Sequence, residues 1–350
     1  MTSQPEKMPE PGKAEPGKAG GPSMIHGLLW GFAPLFAVQA GVENGVFDAL
    51  AEGALDAAAL AARTGASRRG LDALLPALAG LGLLVRDGAG RYGLGEEARR
   101  HLVSTSPAAL TGLIRHLSDQ LLDNWRKLPL AVRSGKPVVA VNDETTGSPF
   151  FAAFVEALFP MNRLAAETLA AHLDLRAKAG PVSVLDLAAG SGVWGITLAE
   201  SAPHVTVRAV DWPAVLPVTR RVAERHGVAD RFTFVAGDLA SSDFGAGHAV
   251  AVLGHILHSE GERRSRALLA RCHQALAPGG VIAIAEFLVE PDRSGPLPSL
   301  LFALNMLVHT EEGTTFSFPE IAGWLEEAGF AEPHLLPVPG PSPLILAERR

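Results

Sequence analysis

Residues Val184 to Ile196 read VLDLAAGSGVWGI. Gly190, Gly192 and Gly195 form a literal G-x-G-x-x-G, a spacing that lets backbone approach a ligand where a strand turns into a helix. The acid just ahead of the glycines, Asp186, bears on which ligand that is. On a strand end facing the crevice, a carboxylate about 5 Å from a phosphate costs roughly 3 kcal/mol at an effective dielectric near 20. A cationic ligand without phosphates is attracted instead. S-adenosylmethionine, with its ammonium and sulfonium, fits; a nicotinamide dinucleotide does not. The competing role for Asp186 is a plain turn cap.

Two more acids end apolar runs. Asp211 closes VTVRAVD and Asp238 closes FTFVAGD. An acid at the end of the second strand can take both ribose hydroxyls, and one at the end of the third can accept from the adenine amine. His258 reads as ending the fourth strand and Glu286 as ending the fifth, next to it. A histidine suits proton removal from a hydroxyl near neutral pH. A carboxylate on its far nitrogen would fix the tautomer and stabilise the imidazolium. His255 reads as structural. No His, Cys, Asp or Glu spacing makes a metal site, Cys272–His273 included.

An acceptor pocket is expected between helices on either side of the sheet. Phe154, Leu158, Met161 and Asn162 line one wall; Phe302, Asn305, Met306 and His309 line the other. Apolar walls with few polar groups suit a flat aromatic or polyketide-like molecule.

These residues need a scaffold, and the periodicity supplies one. Residues 1–22 repeat EPGKA and read as a disordered tail. Over 23–140 the pattern is helical, with Ser67 as an N-cap and a small hairpin around DGAG, a winged-helix layout. Its second helix, RRGLDALLPALAGLGLL, is too apolar to read base edges, so packing or dimerisation is expected rather than DNA binding. Over 141–350 the runs VSVLDL, VTVRAVD, FTFVAGD, AVAVLG and VIAIAEF alternate with helices, and PSPLILAERR supplies a last strand. Strands separated by helices imply a parallel, doubly covered α/β sheet. One long helix spans PFFAAFVEALFPMNRLAAETLAAHLDL, with a break near Pro160.

Bulk properties narrow the function. The chain has 350 residues, 47% hydrophobic, with a net charge of −7 and a single cysteine. The acidic balance disfavours nucleic acid as a partner. One cysteine excludes an internal disulfide and fits a reducing compartment. No apolar run is seen to approach a membrane span, and the N-terminus lacks a signal-peptide layout; a soluble cytoplasmic protein without a membrane partner is expected.

The chain resembles the class I S-adenosylmethionine-dependent methyltransferases, and more narrowly the O-methyltransferases with an N-terminal winged-helix dimerisation domain, which include caffeate, acetylserotonin and bacterial natural-product enzymes. DNWRKLPLAV, VLDLAAGSG, AVDWPAVL, FVAGD, ILHSEGE, ALAPGGVIAIAEF and LFALNMLVHTEEG carry the likeness. It implies a Rossmann-like, mostly parallel seven-stranded sheet with the last strand antiparallel, and a homodimer formed through the N-terminal domain. It further implies a cofactor site of Asp186, Gly190, Ser191, Gly192, Asp211, Trp212, Asp238, Leu239 and Gly254, with His258 as base and Glu286 as its orienting acid. Ala188 stands where the family has a glycine, tolerable if φ stays negative there. Gly254 stands where the family often has a lysine, and Ser259-Glu260 replace its Asp-Trp. The second orienting acid aligns with Thr315, near Glu311 and Glu312. Small-molecule O-methylation is the expected activity. A C- or N-methyltransferase and a winged-helix ligand-sensing regulator are the alternatives.

Overall fold

The computed structural model describes residues 22–141, 144–152 and 154–350. The EPGKA leader lies, up to residue 21, outside the described residues. In the N-terminal part, helices Ala57–Thr64 and Arg68–Gly80 are followed by the hairpin β1 (Leu84–Arg86) and β2 (Tyr92–Leu94). Ser67 caps as expected, its hydroxyl accepting from the Gly70 N–H at 3.1 Å. Phe47, Leu50, Leu60, Leu71, Leu75 and Leu78 close a core of their own.

Ahead of that core, helices Pro22–Leu29 and Ala33–Glu43 carry a largely solvent-facing apolar surface, with Leu28 65% and Trp30 70% exposed. Residues 24–43 have a mean hydropathy of 1.4 and are long and apolar enough to cross a membrane by length and composition. This corrects the sequence reading. His26, Gly27, Gly31 and Gln39 break the apolar run residue by residue while the average stays high.

The C-terminal half is one sheet: β3 (Val182–Leu187), β4 (Val205–Asp211), β5 (Phe232–Ala236), β6 (His248–Gly254), β7 (Leu276–Ala285), β8 (Phe330–Leu336) and β9 (Leu344–Arg349). The order is β5-β4-β3-β6-β7-β9-β8, with β9 antiparallel to both neighbours. Two apolar layers cover its faces. The order reverses between β3 and β6, so a crevice opens beyond their C-terminal ends. Edge strand β8 is invisible to pattern reading: FAEPHLL carries Pro333, and its register slips between Ala331 and His334. The long helix before the sheet is three pieces, Glu144–Ala152, the 3₁₀ turn Val155–Leu158 and Phe159–Leu173, because Pro160 suits a helix's first turn and not its interior.

The glycine loop joins β3 to helix Val193–Ser201. Gly190 and Gly192 take φ of 55° and 78°. A Cβ at Gly192 would meet Thr219 Cγ2 at 2.9 Å, so the glycine serves loop packing. Ala188 has φ of 50°. The expectation of negative φ there fails, and the loop carries an alanine in the left-handed region at a cost of about 1–2 kcal/mol.

Asp186 also departs from expectation. It does not face the crevice: it is fully buried under the loop, and its Oδ2 accepts from the Gly195 N–H at 2.9 Å. Its Oδ1 has no partner among the described residues. Burial raises its pKa from 3.8 to about 7, with the Gly195 bond opposing and Asp211 adding to the rise. A carboxyl raised on folding stabilises the fold below its unfolded pKa and loses that contribution as pH climbs through the folded value. Asp186→Asn keeps an acceptor for Gly195 and cannot ionise. Its melting temperature should exceed the parent's at pH 8, and the gap should be clearly smaller at pH 5, closing only near the unfolded pKa of 3.8. Scanning fluorimetry at the two pH values checks this; a pH-independent gap would refute it.

Candidate active site

A cavity of about 380 Å³ opens at the C-terminal ends of β3, β4 and β6. One end is built by the strand-terminal acids. Asp211 Oδ2 accepts from the Gly190 N–H and Oδ1 from the Trp212 N–H, both at 2.7 Å. Burial lifts its pKa to about 6, against the pull of those two amides. Asp238, two residues past β5, accepts from the Ala240 N–H at 2.7 Å, and its Oδ2 lies 3.5 Å from Arg264. Arg264 is in turn held by buried Glu260 at 2.5 Å. Gly190, Ser191, Trp212, Leu239 and Gly254 share this wall. Asp186 and Gly192, assigned to the cofactor from sequence, lie behind it, for the packing reasons above.

The charge argument therefore moves to other residues. The charged side chains on the cavity wall, among the described residues, are Asp211, Asp238, Glu260 and Arg264. The arginine is already paired twice, and the Gly190 amide that could cradle a phosphate is donated to Asp211. A diphosphate would meet carboxylates and no free cation. An adenosine with a cationic tail meets an acid for its ribose and another for its base, so S-adenosylmethionine fits these residues.

The other end holds a histidine paired with a buried acid. His258 is in the first turn of helix Leu257–Ala275, four residues past β6, and not at the strand end itself. Its Nδ1 lies 2.7 Å from Glu286 Oε2, and its backbone N–H donates to Oε1 at 3.3 Å. Glu286 directly follows β7 and is 2% exposed. Burial pushes its pKa up, but the contacts with His258 outweigh this and hold it below the ordinary carboxylate value. With Nδ1 engaged, Nε2 is the ring nitrogen left for a ligand. The Phe302 ring meets the imidazole edge-on at 4.9 Å. Among the described residues no second acid joins them: Thr315 donates to the Ser299 carbonyl at 3.3 Å, Glu312 pairs with Arg263 at 3.6 Å, and Glu311 is exposed.

His255, read as structural, also lines the cavity. It sits at φ 61° with Nε2 2.9 Å from Ser342 Oγ, and burial drops its pKa to about 4. The predicted acceptor walls come together as expected. Phe154, Leu158, Met161 and Asn162 face Phe302, Asn305, Met306 and His309 across one space. Trp125 Nε1 donates to Asn305 Oδ1 at 2.9 Å, and His309 bridges the Asn305 carbonyl and Asn124. Sequence reasoning missed His116, whose ring stacks on Phe154 at 3.7 Å, together with Phe150 and Phe287. The one local signal was the helical spacing of His116 and Gln120, which are hydrogen-bonded at 2.9 Å.

Comparison with known proteins agrees with this architecture. Residues 115–331 match the O-methyltransferase domain and residues 27–104 the O-methyltransferase dimerisation domain. The chain is 33% identical to the 3-hydroxy-5-methyl-1-naphthoate 3-O-methyltransferase of Streptomyces sahachiroi, over 92% of this chain and 93% of that one. It is 32% identical to the tetracenomycin polyketide synthesis 8-O-methyl transferase of Streptomyces glaucescens, over 94% and 97%. The crystal structure of human N-acetylserotonin methyltransferase in complex with S-adenosylmethionine superposes with a TM-score of 0.81 at 27% identity, covering 95% of this chain and 99% of that one. The dimerisation domain, the seven-stranded sheet and the acid-lined cavity thus belong to one recognised assembly: the chain is a member of the S-adenosylmethionine-dependent O-methyltransferase family.

Proposed function

We propose that the enzyme methylates a phenolic hydroxyl on a fused-ring aromatic or polyketide-derived acceptor, with His258 as general base. The observation that carries this is the His258–Glu286 contact at 2.7 Å, set in an aromatic pocket. Bound S-adenosylmethionine supplies an electrophilic methyl group. The chain's own task is then alignment and deprotonation. His258 Nε2 takes the hydroxyl proton, and Glu286 fixes the tautomer and balances the imidazolium charge. In the same reading Asp211 and Asp238 hold the adenosine, with Gly190, Ser191, Trp212, Leu239 and Gly254 around it.

A planar acceptor is supported by the walls. Phe150, Phe154, Phe287 and Phe302 surround the space, and the His116 ring lies nearly parallel to Phe154 at 12°. The pKa values of His116 and His309 are lowered by burial, so these rings stay neutral at pH 7 and add no charge to an apolar slot. Relatives named for a naphthoate and a tetracenomycin point to the same substrate class.

The same proposal assigns 23–140 to dimerisation and 141–350 to catalysis, after a leader over 1–22. The apolar face on Met24–Phe36 would be covered by a second copy of the chain. A matched dimerisation domain and a set of exposed large side chains including Leu28, Leu29 and Trp30 support this.

Two outcomes are expected. His258→Gln should lower kcat on a naphthol or hydroxyanthraquinone acceptor roughly 10²- to 10⁴-fold. Its S-adenosylhomocysteine affinity should stay within about twofold by calorimetry, since nothing at the adenosine end changes. A kcat loss below about threefold would remove His258 as the base. The double variant Leu28→Glu, Trp30→Glu should run as a monomer in light scattering where the parent is a dimer; an unchanged mass would place the interface elsewhere.

A further inference from the structure

Trp194 is the feature of the cavity that neither the acids nor the base account for. It stands in the first turn of helix Val193–Ser201, 3% exposed, on the cavity wall. Across from it β6 ends in Gly254. A Cβ placed on Gly254 would lie 2.2 Å from Trp194 Nε1 and 2.7 Å from its Cδ1. The indole therefore fills the space a side chain at 254 would need, and the glycine is required for it to lie there. An indole Nε1–H is a donor only, and one this buried normally has an acceptor. Among the described residues no hydrogen bond satisfies it.

We propose that Trp194 Nε1–H is a donor to the carboxylate at the amino-acid end of the cofactor. The inference rests on the S-adenosylmethionine reading of the cavity. Three observations select a carboxylate. The indole lies in the opening turn of a nine-residue helix, where the positive end of the dipole favours an anion. It lies between the glycine loop and the end of β6, on the same cavity as the acids but bonded to neither. Arg264, the one arginine on the wall among the described residues, is committed to Glu260 and Asp238, so the carboxylate must be met by neutral donors.

Two probes separate this contact from the rest of the cofactor. S-adenosylhomocysteine carries the carboxylate; its decarboxylated analogue keeps the ammonium and lacks it. Trp194→Phe removes the N–H and keeps an aromatic ring. It should weaken S-adenosylhomocysteine roughly tenfold or more by calorimetry, as expected for a bond to a charged group. Its affinity for the decarboxylated analogue should stay within about twofold, because no donor to that probe is lost. Gly254→Ala, which must displace the indole, should give the same selective loss. Equal losses for both probes, or no loss for either, overturn the proposal. So does a rise in acceptor KM with S-adenosylhomocysteine affinity unchanged, which would turn the N–H toward the acceptor. If the parent enzyme binds no S-adenosylhomocysteine, the cofactor reading itself falls, and this contact with it.

Discussion

The site depends on how the glycine loop disposes of its own amides. The Gly195 N–H goes to Asp186, the Gly190 N–H to Asp211, and the Gly192 N–H to the Ala189 carbonyl. In a phosphate cradle such groups would point at the ligand. Here the chain's own carboxylates take two of them and a backbone carbonyl the third, which leaves none of the three for an anion. Both acids are displaced upward by burial, Asp186 to about 7 and Asp211 to about 6. Of the two, Asp186 stays beneath the loop and only Asp211 reaches the cavity wall, where a guest can bring hydroxyls to it.

Where the strands run through both covered faces of the sheet, the sequence is easy to follow. VSVLDL, VTVRAVD and AVAVLG are continuous apolar runs and fall on β3, β4 and β6 almost residue for residue. The same property hides direction. When both faces of a strand are buried, alternation cannot say which way Asp186 points, and it points under the loop. Ala188 illustrates a different limit: a left-handed alanine violates a local preference and is held only by the surrounding fold. His116 comes from a helix more than a hundred residues before Glu286, and nothing local ties it to the acceptor wall.

The histidines make the chemical assignment less dependent on position than it seems from sequence. Among the described residues four of them line the cavity: His116, His255, His258 and His309. Three are bonded to neutral partners, namely the Gln120 side-chain oxygen, the Ser342 hydroxyl, and the Asn305 carbonyl with Asn124. Burial lowers the pKa of each of the three, so each resists a proton at pH 7.

His258 differs in one respect, the carboxylate on its Nδ1. A buried base must gain a positive charge as it works, and in a low-dielectric pocket that charge is costly unless a fixed negative partner is already present. Glu286 is that partner: burial pushes its pKa up, and the contacts with His258 outweigh this and hold it below the ordinary carboxylate value. The remaining histidines can then orient or stack against an acceptor without competing for its proton. In the proposed reaction, proton transfer is directed to one ring of four by the placement of a single buried acid, which the order β6-β7 in the sheet sets beside the helix that carries His258.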